Sequence, residues 1–416
     1  MAKVRIAIPA MDELDYLPAT LDALANQDIS SPYEVYVCVN QPDRYWSDSA
    51  RLSICQHNQQ MLAFLRNYTF LTLHVMDRSS PGLGWIGKKH GVGCARKELF
   101  DKILSDSDAD DIIVSLDADT YVRPHYLQSL VDNFAAHPEM NAVAVPYYHP
   151  IQPEDDVRGR ALLRYELYMR NYAINLLRIS SPYGFTALGS AIAMRACALR
   201  KIGGITPLQS GEDFYLVQKF CKMGGLSLFN AECVYPAGHY SDRVPFGTGP
   251  AMQAGASGAW DSYPIYPHDC FEPIREAYRH LKDLYDRNYS EKENEFLAFL
   301  QDINKNDNVW AGILDNVSDF PHFVKAFHQK ADGLRILQFL RMKYRQNPVS
   351  EEVAIYKNIQ KWMFEKIPPF FSPQTPLAHL SLLQLDFLRN LLFEEEQKLH
   401  MKLNENNITS YHISEQ

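Results

Sequence analysis

The chain has 416 residues, 46% of them hydrophobic and 22% charged, which excludes wholesale disorder and fits one large domain with an appendage, or two domains. A formal net charge of −9 argues against non-specific nucleic-acid binding. Seven widely spaced cysteines without a CxxC pair argue against a disulfide framework or a zinc knuckle. Reduced thiols and a cytoplasmic location are expected. The start, MAKVRIAIPA, lacks the apolar stretch of a signal peptide. No apolar run reaches the roughly 18 residues a membrane span needs.

Val4, Ile6 and Ile8 alternate as a strand should, and Pro9 ends it. Leu14, Leu17, Leu21 and Leu24 then recur at helical spacing, with Asp12 and Glu13 placed for a first turn. Further strands are expected over 35–39, 70–75, 112–116, 142–145 and 226–234. Helices are expected over 88–104, 124–135, 156–178 and 212–223. Strands alternating with helices predict an α/β fold, a mostly parallel sheet with helices on both faces. Ligands in such sheets sit beyond the carboxyl ends of the strands. Residues 245–267, rich in Gly, Ala, Ser and Pro, suggest an irregular loop. Beyond it helices are expected over 271–285, 291–302, 332–344, 351–364 and 377–403. The expected division is therefore an α/β domain over 1–264 and an all-helical extension over 265–416.

Asp117-Ala118-Asp119 follows the apolar run 112–116, where a buried strand meets the ligand edge. Two carboxylates one residue apart can hold a hard divalent cation, and that cation can neutralise a diphosphate. A solvated turn or a helix cap before Pro124 explains them equally simply. Glu212-Asp213 opens an amphipathic helix. The helix dipole alone favours acids there. In a cleft, such a carboxylate can also take a proton from an attacking hydroxyl. The run from Gly82 to Lys89 satisfies both GxGxxG and GxxxxGK. A phosphate-binding loop needs Ser or Thr where Lys89 stands, and a dinucleotide fold needs this turn after its first strand. What survives is a glycine loop whose Lys88 and Lys89 can touch phosphate, or a loop with no ligand.

The succession of these features is more specific than any one of them. The stretches VRIAIPAMDELDYLPATLDAL, EVYVCVN, GKKHGVGCARK, DIIVSLDADTYV and GSAIAMRACALRKIGGITPLQSGEDFYLVQKFCKMGG together resemble the family-2 glycosyltransferases of GT-A fold, over about residues 3–235. The resemblance implies transfer of a sugar from a nucleotide-diphospho-sugar donor to a saccharide or other hydroxyl acceptor, inverting and dependent on Mg2+ or Mn2+. It implies that Asp117 and Asp119 bind the donor diphosphate through that cation. Asp213 is implied as the catalytic base, with Glu212 as its partner. Pro9 and Glu13 match the first nucleotide-binding loop, and Lys88 the segment lining the nucleotide. Most members carry an acid pair after the second strand, where this chain has Val39 and Asn40. Asn40 can still hydrogen-bond a base, but the family's preference for uridine does not carry over.

His239 is a candidate third metal ligand, and Arg243 a candidate clamp on the donor diphosphate. A surface loop carrying both by chance is as good a reading. Arg158, Arg160, Arg164, Arg170 and Arg178 punctuate one helix. They form either a solvated face or a docking face for an anionic acceptor or a membrane surface. The tail helix is expected to pack in an intramolecular core or a homodimer. Three rival functions stay open: a retaining transferase on the same fold, a non-catalytic sugar-nucleotide binder, and a P-loop NTPase, against which Lys89 counts.

Overall fold

A computed structural model describes residues 2–87, 90–151, 156–238, 247–305 and 309–405. The chain divides into two compact units. The first comprises Met1–Leu162, Ala187–Phe220 and Gly225–Ser257; the second comprises Leu163–Thr186, Cys221–Gly224 and Gly258–Gln416. The expected limit at 264/265 is a single cut, whereas these units interleave in sequence.

Among its described residues the first unit has nine strands: β1 Val4–Ala10, β2 Tyr33–Asn40, β3 Leu73–Arg78, β4 Ile112–Ser115, β5 Thr120–Val122, β6 Ala142–Ala144, β7 Ile192–Arg195, β8 Leu226–Ser227 and β9 Val234–Pro236. Seven form one sheet in the order β3-β2-β1-β4-β7-β6-β8, while β5 and β9 pair as a separate antiparallel ribbon. The sheet is mixed and mostly parallel. β3, β2, β1 and β4 run parallel, and β7 lies antiparallel between β4 and β6. Every residue of β1 is buried, which requires cover on both faces. The helix Val92–Asp106 packs on β1 and β2, and the helix Leu52–Asn67 on β2 and β3.

Arg5, inside β1, is a charge in a buried strand. Its Nε donates to Asp111 at 2.9 Å and its Nη1 to Glu34 at 3.0 Å and to the Tyr36 hydroxyl at 2.8 Å. An unpaired buried charge costs several kcal/mol, so these partners explain how Arg5 is tolerated. They stand at the amino end of the parallel strands. The carboxyl end is left for Glu13, Asn40, the glycine loop after β3, and Asp117.

Several expected elements shift. The strand placed at 70–75 is Leu73–Arg78, in register with β2, and Phe70 is 79% exposed. The strand placed at 226–234 is two strands, β8 and β9, in different sheets. Between them Asn230 turns back to donate to the Glu232 carbonyl and the Ser129 hydroxyl. The helix placed from 88 begins at Val92, because Gly91 takes φ 101°, a left-handed conformation that ends regular helix. The loop placed at 245–267 contains the helix Thr248–Ala256. Pro250 stands in its first turn, where a missing N–H is tolerated, and Ala251 and Met252 are buried.

The second unit is helical. It holds Glu272–Arg279, Leu281–Tyr285, Glu295–Asn304, Val309–Leu314, Phe320–Lys330, Gly333–Gln346, Glu351–Met363 and Leu382–Glu405, with most of Asp156–Arg178. Side chains cap several starts: Asn294 accepts from the Phe296 and Leu297 amides, Asp319 from His322, and Asp332 from Arg335. Aromatic contacts fill its core, among them Phe296 with Phe339 at 5.1 Å and Trp310 with Phe327 at 5.0 Å.

The arginine helix needs correction. Arg164 and Arg170 form neither a solvated face nor a docking face; both are buried. Arg164 donates to Glu351 at 2.5 Å and to the Tyr263 carbonyl at 3.0 Å. Arg170 donates through Nε to Glu166 at 2.9 Å and through Nη1 to Glu396 at 2.5 Å, and Arg389 donates to Glu166 at 3.1 Å. The tail helix buries Leu385, Leu388, Leu391 and Leu392. No helix among the described residues is long and apolar enough to cross a membrane, and no disulfide joins the seven cysteines.

Candidate active site

β4 delivers Asp117 and Asp119 to the carboxyl edge of the sheet, and the turn that carries them is held on every side. The Leu116 amide donates to the Ala7 carbonyl at 3.0 Å, and the Thr20 hydroxyl to the Ala118 carbonyl at 2.8 Å. The Ala237 amide donates to the Asp119 carbonyl at 3.1 Å. The Ser115 hydroxyl donates to the Gly189 carbonyl at 2.7 Å, drawing in the segment that enters β7. In this turn Ala118 is buried and both aspartates stay partly open. An isolated solvated turn has no need of such bracing.

Glu212 and Asp213 form the first turn of the helix Glu212–Met223. Glu212 is buried, 2% exposed, and Asp213 is half-buried. The Phe214 amide donates to Asp213 Oδ1 at 2.7 Å. Burial, and after it the charge of Glu212, pushes the Asp213 carboxyl up to about 7, against the opposing pull of Arg96 and the Phe214 amide.

Arg96, from the helix Val92–Asp106, joins the two carboxylate groups. Its Nη2 donates to Asp117 Oδ1 and its Nη1 to Glu212 Oε1. Arg96 is 3% exposed. Burial works against its charge, but Asp117, and then Glu212, more than offset that and hold it firmly protonated. The fit requires glycine at 189: a Cβ there would collide with Arg96 Nη2. No sequence motif singled out Arg96. The available signal was a lone arginine inside the quoted GKKHGVGCARK, beside Gly189-Ser190-Ala191 far along the chain.

A family model described as "Glycosyltransferase like family 2" matches residues 2–229, more than half of the chain. The chain belongs to that family.

No curated protein matches this family-2 glycosyltransferase. Among solved structures, TarS of S. aureus in complex with UDP-GlcNAc is 13% identical, with 98% of this chain and 92% of that one covered and a TM-score of 0.39. The mannosyltransferase PcManGT from Pyrobaculum calidifontis, in complex with GDP-Man and Mn2+, is 16% identical, with 93% and 86% covered and a TM-score of 0.32.

The other expected residues of this glycosyltransferase divide into three groups. Pro9 and Glu13 stand at the end of β1 and just beyond it, both buried, and the Glu13 carbonyl accepts from the Leu17 amide at 2.9 Å to start the helix Leu17–Ala25. Asn40 is at the same edge, but both ends of its amide are engaged. Nδ2 donates to the Ala10 carbonyl at 3.0 Å, and Oδ1 accepts from Trp85 Nε1 at 3.1 Å. A contact between Asn40 and a nucleobase requires the amide to leave these partners. Lys88, His239 and Arg243 lie outside the described residues.

The glycine loop follows β3 and is stitched to the chain beyond β2. The Trp85 amide donates to the Gln41 carbonyl, the Asp43 amide to the Trp85 carbonyl, and the Gly82 amide to Asp43 Oδ1. These bonds explain the loop by packing. Among the described residues no three His, Cys, Asp or Glu side chains come together as a metal-holding group. The donors that suit a hard cation are the carboxylate oxygens of Asp119 and the Asp117 oxygen that Arg96 does not take.

Proposed function

We propose that this family-2 glycosyltransferase moves a sugar from a nucleoside-diphosphate sugar to an acceptor hydroxyl, with inversion at the anomeric carbon and with the help of a divalent cation. The observation that carries the reading is Asp213: a half-buried carboxyl of raised proton affinity, tied through Glu212 and Arg96 to the Asp117–Asp119 turn. A general base works best when its pKa lies near the working pH.

In this reading Asp213 takes the proton of the acceptor hydroxyl as that oxygen attacks the anomeric carbon. The nucleoside diphosphate leaves from the opposite face. Glu212, held by Arg96, orients the base. Asp117 and Asp119 are the residues that would hold Mg2+ or Mn2+. Such an ion, when bound, supplies positive charge for the diphosphate. Lys88 keeps, as a sequence position, the nucleotide-lining role that the family resemblance implies, while His239 and Arg243 stay candidates by residue chemistry for a third cation ligand and a diphosphate clamp.

Asp213→Asn tests the assignment. The amide is close in shape but cannot accept the proton, so transfer should fall by about a hundred- to ten-thousandfold. Donor binding should persist, measured as a thermal shift across a panel of nucleotide sugars with Mn2+. Turnover within tenfold of the unmodified enzyme removes Asp213 from the role.

A further inference from the structure

Arg96 is one cation shared by two carboxylates of different settings. Glu212 is enclosed at 2% side-chain exposure, whereas Asp117 is 34% exposed at the sheet edge. The guanidinium is planar and rigid, so its two ends cannot move independently. Asp117 precedes the second candidate cation ligand, Asp119, by two residues, and Glu212 adjoins the base Asp213. The two groups sit on separate elements, the turn between β4 and β5 and the helix Glu212–Met223. Among the described residues, Arg96 from the helix Val92–Asp106 hydrogen-bonds to both Asp117 and Glu212.

We infer that Arg96 is a positioning residue that couples the cation edge to the base pair: it divides its charge between Asp117 and Glu212, so that a change at either carboxylate is felt at the other. The inference rests on the reading above, in which Asp117 and Asp119 hold a cation. Its physical content is competition. Where Glu212 carries its negative charge, Arg96 is half neutralised from the enclosed side. Where glutamine replaces Glu212, the whole guanidinium charge leans on Asp117 and opposes a cation there. Glu212 is not a cation ligand in this scheme; part of its effect on cation affinity acts directly through space, and the double variant below separates that part from the one carried by Arg96.

Calorimetric titration of Mn2+ alone into the full chain tests the coupling without recourse to activity. Glu212→Gln should weaken Mn2+ binding by about tenfold, the scale of one close charge. The double variant Arg96→Met with Glu212→Gln should bind Mn2+ at least as tightly as the unmodified chain. The opposing guanidinium is then gone, and no lone buried carboxylate is left to unfold the site. Thermal melts establish that both variants are folded. A merely structural role would weaken binding in both variants together. Unchanged affinity in Glu212→Gln, or a double variant no tighter than Glu212→Gln, overturns the inference while leaving the cation reading intact. Asp119→Ala separates the two: if it leaves Mn2+ binding unchanged, the cation reading itself fails, and the coupling with it.

Discussion

Each unit of the chain buries arginine among carboxylates, and the two clusters are built to opposite ends. In the first unit Arg96 sits between Asp117 and Glu212, and one of these partners is 34% exposed at the ligand edge of the sheet. In the second unit Arg170 is wholly enclosed with Glu166 and Glu396, and Arg389 closes on Glu166 from another side. The Arg170 guanidinium also lies 4.7 Å from the centre of the Phe393 ring. Buried ion pairs add little net stability over apolar packing, but breaking one leaves an uncompensated charge. The closed cluster ties the helix Asp156–Arg178 to the helix Leu382–Glu405. The half-open cluster leaves Asp117 and the neighbouring Asp213 partly exposed. Arginine content alone does not distinguish them; what does is whether the shell of partners closes.

The largest effect that would break this contrast concerns Arg170. Arg170→Met should destabilise the protein by about 3–5 kcal/mol, read from denaturant unfolding, because Glu166 and Glu396 lose their shared partner. Transfer by the remaining folded enzyme should stay close to normal. A folded Arg170→Met protein with transfer lost would give the closed cluster a catalytic part and dissolve the distinction.

Gly189→Ala approaches the open cluster without altering any charge. The added methyl must push the Arg96 guanidinium off its two partners. A displacement of about an ångström in a catalytic group can cost about a hundredfold in rate. Transfer should fall on that scale, with a smaller loss of stability than in Arg170→Met. Unaltered kinetics would show that the position of Arg96 does not matter to the reaction.

The pH dependence of kcat/KM sharpens the comparison further. In the proposed reading Asp213 acts when deprotonated, so the rate should fall as pH drops below about 7, by roughly tenfold per unit once well below it. A profile flat to pH 5 would contradict a base with raised proton affinity.

The smallest effect belongs to His400, buried beside the closed cluster. Burial first, and then the charge of Arg170, lowers its pKa to about 3. An unfolded histidine protonates near pH 6.5. Between these values the unfolded chain binds a proton that the folded chain refuses, so stability falls as pH drops from about 6.5 towards 3. His328, also buried and lowered to about 3, acts in the same direction. His400→Leu should flatten the slope of the unfolding midpoint against pH; an unchanged slope would mean that His400 does not contribute to acid sensitivity.

Much of the first unit was legible because its signals are local. The alternation of Val4, Ile6 and Ile8, and the apolar run ahead of Asp117, fall where β1 and β4 form. The acidic start at Glu212 is a helix start. The strand Ile192–Arg195 was missed because four residues, paired on both sides by β4 and β6, carry too little periodicity. The helix Thr248–Ala256 was missed because two glycines and a proline interrupt its nine residues, while its burial of Ala251 and Met252 is a tertiary fact.

The sequence by itself determined the alternation of strand and helix, the helical tail, and the two carboxylate pairs at element ends, since backbone periodicity and capping act over a few residues. Tertiary structure alone decided which charges meet. Arg96 reaches a glutamate 116 residues away, and Arg170 one that is 226 residues away. In one dimension each is an arginine in an amphipathic helix. Their difference arises because a buried guanidinium must find anionic partners wherever the fold brings them, and nothing in the local spacing encodes that meeting.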